Sequence, residues 1–152
     1  MPVTNVRSKW DAGDLVFYDE ATGNDVFRIT NSTLGVIPVS LEWVATTPDK
    51  SSFVATRKYR VLGITARVTA AGTDAGAVTA EVRKAPSGTA IASGTLLHTG
   101  NINLKGTANT NQVLTLAAAA NLEIAAGDAI GLDVTGTLTT ATGIVTVNLI
   151  PV

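Results

Sequence analysis

From about residue 53 to residue 152 the chain is a succession of short segments in which every second residue is apolar, β-branched residues dominate and Gly, Pro, Asn and Asp punctuate. A period of two puts one set of side chains on each face of a strand, so this pattern demands sheets with one buried and one wet face. Residues 60–69 set Leu62, Ile64, Ala66 and Val68 against Thr65, Arg67 and Thr69. After a turn at residues 71–76, Val78, Ala80 and Val82 face in while Thr79, Glu81 and Arg83 face out, which predicts a hairpin with the preceding strand. A turn at residues 85–88 follows, then apolar runs at 96–97, 102–104, 113–116 and 122–124. Ile130, Leu132 and Val134 alternate with Gly131, Asp133 and Thr135, and the final strand runs over residues 144–150.

About eight short strands in a hundred residues predict an all-β antiparallel sandwich, and the long excursions between some of them suit a jelly roll better than a seven-stranded immunoglobulin-like arrangement. The strand order stays open. Residues 117–126 are Ala-rich and could hold one helical turn or two, cut short by Asn121 and Gly127. With 152 residues, about a third of them Thr, Val or Ile, the chain can bury one substantial core, so one main domain with an appendage is expected.

The appendage is amino-terminal. Residues 15–18 and 26–29 read as a β-hairpin around a turn rich in Asp, Asn and Gly at residues 19–25. It is apolar on both faces, with Leu15 and Phe17 on one and Val16 and Tyr18 on the other, so it needs a surface to lie against. That surface is either its own chain's sandwich or a neighbouring subunit. Next, Ile37, Val39, Leu41 and Trp43 alternate with Pro38, Ser40, Glu42 and Val44, and Pro38 makes this an edge strand because it cannot donate to a ladder. Residues 45–52 have the composition of a linker, which places an arm at 1–50 and the sandwich at 53–152.

Composition removes several kinds of chemistry. There is no cysteine, hence no disulfide, thiolate or Cys-metal site, and a single histidine, His98, rules out a multi-histidine metal centre. No Gly-x-Ser-x-Gly elbow accompanies His98, which reads as a strand-end residue without a catalytic role. Asp128 and Asp133 have a spacing that sends them to opposite strand faces, and Asp128 fits the Gly127-Asp128 turn better than a glycosidase pair. Asp19, Glu20, Asn24 and Asp25 gather oxygen ligands without the spacing of a calcium loop and read as solvated turn residues. No phosphate-binding Gly-rich loop occurs. A net charge of -1, with both signs mixed, argues against nucleic-acid and membrane partners, and no apolar run reaches the length of a signal peptide core or a membrane helix. No cofactor, metal or catalytic residue is expected.

The opening Val3-Thr4-Asn5-Val6-Arg7-Ser8-Lys9-Trp10, continuing into Gly13-Asp14-Leu15-Val16-Phe17-Tyr18-Asp19, resembles the beginnings of virion structural proteins of tailed bacteriophages. The stretch Leu122-Glu123-Ile124-Ala125-Ala126-Gly127-Asp128-Ala129-Ile130-Gly131-Leu132-Asp133-Val134-Thr135-Gly136-Thr137-Leu138 is similar to the late strands of jelly-roll modules in phage head decoration, or cement, proteins, and its Gly-Asp turn also occurs in C1q-like and tumour-necrosis-factor-like domains. The resemblance implies a non-enzymatic protein made in the host bacterial cytoplasm that binds the major capsid protein on the outer capsid surface, as a dimer or trimer, and braces it against internal pressure. The expected contact residues are Trp10, Leu15, Phe17, Tyr18, Phe27 and Trp43, the last equally readable as a core residue, joined by the basic cluster Arg57, Lys58 and Arg60, which reads equally as a solvated strand end. Two alternatives are a receptor- or carbohydrate-binding module of a tail fibre or spike and a C1q-like surface trimer. The absence of any Trp, Tyr or Phe after residue 60 counts against sugar stacking on the body.

Overall fold

The computed structural model of the chain describes residues 6–11, 14–29, 35–43 and 50–152. It separates into two compact units that divide between Val36 and Ile37.

The amino-terminal unit is a three-stranded antiparallel sheet, β1 (Val6–Asp11), β2 (Asp14–Asp19) and β3 (Asp25–Ile29), with β2 in the middle. A third strand is thus added to the two expected from the sequence. The turn between β2 and β3 is closed by Asp19, whose N–H donates to Asn24 O at 2.9 Å and whose carbonyl accepts from Gly23 N–H at 2.7 Å. Its carboxylate accepts from Ala21 N–H at 2.8 Å. Gly23 takes φ of 70°, a left-handed conformation that glycine adopts without steric cost.

The second unit is an all-β sandwich. Its strands are β4 (Ile37–Trp43), β5 (Lys50–Val54), β6 (Tyr59–Ala70), β7 (Thr79–Ala85), β8 (Thr95–Leu96), β9 (Ile102–Asn103), β10 (Asn111–Leu114), β11 (Glu123–Ile124), β12 (Ala129–Thr135) and β13 (Thr142–Pro151). One sheet runs β10-β6-β13-β4, with β11 also on β6. The other runs β5-β12-β7-β8, with β9 also on β7, so β6 and β7 lie in different sheets and are not the hairpin expected from the sequence: the turn between them crosses from one sheet to the other. All pairings are antiparallel. The Ala-rich segment contributes a single 3₁₀ turn, Ala119–Asn121.

Two expectations about boundaries change. The segment containing Pro38 is indeed an edge strand, but β4 pairs with β13 through seven residues and so belongs to the sandwich, not to the arm. Residues 50–52, assigned to a linker, begin β5, which pairs with β12. The division therefore lies about fifteen residues earlier than the linker-like composition indicated, because a polar, Ser-rich stretch at a sheet edge has the same composition as a linker.

The core lies between the sheets. Val39, Leu41, Val61, Ile64, Ala66, Val68, Val145, Val147 and Leu149 come from the first sheet, Ala80, Val82, Ile102, Ile130 and Leu132 from the second, and Val78 from the residue just before β7. Tyr59 is edge-on to Phe53, with ring centroids 5.8 Å apart. Trp43 is only 2% exposed, so it packs in this core and is not available as the contact residue expected from the sequence. Its indole lies against Gly143, where an added Cβ would stand 2.1 Å from Trp43 Cζ2.

One facing was read inverted. Leu62 is 45% exposed while Val61 is buried. The cause is a bulge: Asn148 opposes Gly63 and Leu149 opposes Val61, so Leu62 is the extra residue and the alternation on either side of it is shifted by one.

Candidate functional site

Three surfaces bear on function: the amino-terminal sheet and the outer faces of the two sheets of the sandwich. In the amino-terminal unit the register sets Phe17 between Ser8 and Phe27, and Leu15 between Trp10 and Ile29. Cross-strand partners share a face, so most of the residues expected to make contacts converge on one side of the sheet. The Phe17 and Phe27 rings stand 6.1 Å apart, and Phe27 remains 59% exposed. Tyr18 belongs to the other side, where Lys9 Nζ lies 5.1 Å from its ring centroid. Ion pairs rim the sheet: Arg7 with Glu20 at 3.0 Å, and Arg28 with Asp11 and Asp25 at 2.9 Å each. The carboxylates of the turn at residues 19–25 are thus engaged with backbone N–H groups and arginines. Of the expected contact residues, Trp10 has its side chain outside the described residues.

The second sheet of the sandwich covers its own outer face. The 3₁₀ turn Ile91–Ser93 packs on β7 and β12 and buries Ile91 there. Gly94 lies so close beneath that a Cβ would meet Lys84 O at 2.3 Å. Beside it Arg83 reaches three partners: it pairs with Glu81, its Nε lies 2.9 Å from Asp133 Oδ2, and its Nη1 donates to Gly94 O at 2.8 Å. The side chains of Arg83, Glu81 and Asp133 are 22%, 22% and 18% exposed, so these charges sit in a partly desolvated network.

At the edge of this sheet β8 and β9 are two pieces of one interrupted strand, and His98 lies in the interruption. Its Nε2 accepts from Val82 N–H at 2.9 Å, filling the ladder position a carbonyl would hold, while Val82 O accepts from Leu97 N–H at 3.0 Å. Acceptance at Nε2 places the proton on Nδ1, which faces Thr99 O at 3.4 Å. The ring is fully buried, and burial lowers its pKa against the opposing pull of Thr99 O and the Glu81 carboxylate. The lone pair that a general base would need is already bonded.

Among the described residues the first sheet leaves its outer face bare. Three rows cross it: Glu42, Ile144, Arg67 and Asn111; then Ser40, Thr146, Thr65 and Val113; then Pro38, Asn148 and Gly63. Val113 is 81% exposed, and Ser40, Glu42 and Arg67 are exposed as well. Sequence reasoning placed Thr65 and Arg67 on a wet face but did not single out Glu42, Arg67 or Val113. Alternation could flag each as outward; only the register shows that they are neighbours.

Arg57, Lys58 and Arg60 are exposed as expected. Lys58 and Tyr59 line a groove of about 420 Å³ with Lys84, Glu123 and Asp128. Two of its four charges are committed: Lys84 Nζ donates to the Glu123 backbone carbonyl, and Asp128 Oδ2 accepts from Ala125 N–H at 2.9 Å in the turn before β12. Asp133 is held by Arg83, so Asp128 and Asp133 serve separate structural roles. At the end of the sandwich, Asp74 accepts from Thr139 N–H at 2.9 Å, and the Thr139 hydroxyl and amide hold its carboxyl below the usual range. Among the described residues no group of three or more His, Asp or Glu side chains could hold a metal ion. No protein-family model, curated protein or solved structure matches the chain.

Proposed function

We propose that the chain is a non-enzymatic structural protein of a phage virion, which binds the outer capsid surface through its amino-terminal sheet and bridges neighbouring capsid subunits with a jelly-roll body. The jelly-roll assignment is supported by the order of strands: β4 to β7 alternate between the two sheets, as do β12 and β13, and β13, last in the chain, lies between β4 and β6. This is the order that two Greek keys folded into two sheets produce.

The observation that carries the functional reading is the amino-terminal unit. A small sheet, compact in itself, brings Leu15, Phe17 and Phe27 to one side and leaves Phe27 mostly exposed. Exposed clustered aromatics are a recurrent element of interface centres. Repetition of a modest contact over a shell then raises the overall avidity far above that of one copy.

The test is cosedimentation of the full-length protein with capsid shells of the phage that encodes it, comparing the wild type with Phe17→Asp/Phe27→Asp. Saturable binding by the wild type and loss in the variant is the expected result. Failure of the wild type to bind shells, or binding by the variant equal to wild type, overturns it. A deletion experiment should stop at residue 36, since removing residues 37–50 also removes β4 from the body.

A further inference from the structure

We propose that the bare outer face of the first sheet is a self-association surface that takes a second copy of this chain, face to face, about a two-fold axis parallel to β13. The argument starts from one row of the sheet. Ile144 on β13 has Glu42 of β4 on one side and Arg67 of β6 on the other. Neighbouring strands lie about 4.8 Å apart, so the two charges sit at equal distances left and right of β13. A two-fold axis running along β13, in the plane above it, carries β4 of one copy over β6 of the other and leaves heights along the strand unchanged. Glu42 of each copy then faces Arg67 of its mate, and one row supplies two equivalent ion pairs, as an isologous interface requires.

The next two rows carry no charge. Ser40, Thr146, Thr65, Val113, Pro38, Asn148 and Gly63 form an uncharged field of small polar and apolar groups between the charged row and Arg60, which pairs with Glu123 of β11 in the register. A centre depleted of charge inside a charged margin is the usual anatomy of an interface. Four strands over about seven residues give roughly 450 Å² per copy, about 900 Å² for the pair, the size of a weak, reversible contact. Sheets that face one another usually cross at about 30°, which turns the axis by about 15° from β13, and the long Glu and Arg side chains absorb the resulting displacement near the axis. The second sheet offers no such surface, since its turn and its Arg83 network already cover it.

The experiment is sedimentation equilibrium of the full chain from micromolar to submillimolar concentration. The wild type forms dimers that weaken when salt is raised, because the paired charges are exposed. Glu42→Arg sets arginine against Arg67 of the mate, and Arg67→Glu sets glutamate against Glu42; each variant alone loses about tenfold or more in association. An equimolar mixture of the two variants recovers wild-type association to within about threefold, as does the double variant, because opposite charges then face each other again. Both positions are exposed, and circular dichroism confirms that the variants fold. A wild type that stays monomeric throughout overturns the proposal. Dimers indifferent to either reversal assign association to another surface and overturn it equally, as does a mixture that fails to recover.

Discussion

The two outer faces of the sandwich are built from the same kind of antiparallel strand and finish differently. On the second sheet the chain folds back on itself, lays Ile91 and Gly94 over β7 and β12, and ties Arg83 to Glu81, Asp133 and Gly94 O. On the first sheet Glu42 and Arg67 stand on either side of Ile144, and threonines and Val113 face outward. Packing has been completed within the chain on one side and left open on the other, where the bonds made are local ones such as Arg67 Nη1 donating to Asn111 Oδ1 at 3.1 Å. The contrast implies that substitutions on the covered face should act on stability, whereas those on the bare face should leave stability nearly unchanged and act on the proposed association.

The comparison is broken most severely at Gly94. Gly94→Ala drives a methyl group to within 2.3 Å of Lys84 O, which cannot retreat without disturbing β7. The 3₁₀ turn should lift, at a cost of about 3 kcal/mol, read as a lowered urea midpoint. Arg83→Leu comes next: it strands Glu81 and Asp133 in a partly desolvated site, for about 2 kcal/mol after allowing for the exposure they retain. The matching change on the bare face, Arg67→Leu, should shift stability by no more than about 0.5 kcal/mol. Equal costs for the two arginines would erase the distinction.

Acid gives a smaller effect at the seam. His98 is neutral in the folded protein and its pKa is lowered by burial, so its contribution is fully present above the unfolded value near 6.5 and is lost as pH falls toward the folded value. Protonation adds a donor at Nε2 opposite Val82 N–H. Between pH 7.5 and 5.5 stability should drop by about 1 kcal/mol through this residue. The Val82 amide should exchange with solvent faster, and the difference should vanish in His98→Gln. A pH-independent exchange rate at Val82 would contradict this. Smallest of all, Thr146→Val in the middle of the bare face should leave the melting temperature within about 1 °C of wild type.

Much of the sandwich could be read from alternation, because the inward residues of β6, β7 and β12 are spaced by two over most of their length. Where the reading failed, the cause was a feature that breaks the period or depends on distant chain. The bulge at Leu62 inverted Val61 and Leu62. Lys50 and Ser51 looked like a linker because edge strands tolerate polar residues, and their pairing with Leu132 and Gly131 is set some eighty residues later. The aromatic positions of the arm were visible as residue types, and Leu15, Phe17 and Phe27 did converge. Trp43 did not join them, since only the partner Gly143 reveals that its indole has a slot in the core. Glu42 and Arg67 could not be seen as a pair at all: what brings them into one row is β13, which follows both in the chain.

That place of β13 governs how the body is made. Emerging from the ribosome after every other strand, it must insert between β4 and β6 and complete both ladders at once. Until it does, β4 has no partner in its sheet and β6 presents an open edge, the very surfaces on which nascent β chains pair wrongly. Folding of the sandwich therefore waits for its last strand and is dominated by long sequence separations, slow for its size. A polypeptide stopped short of Thr142 would be released with its first sheet split in two.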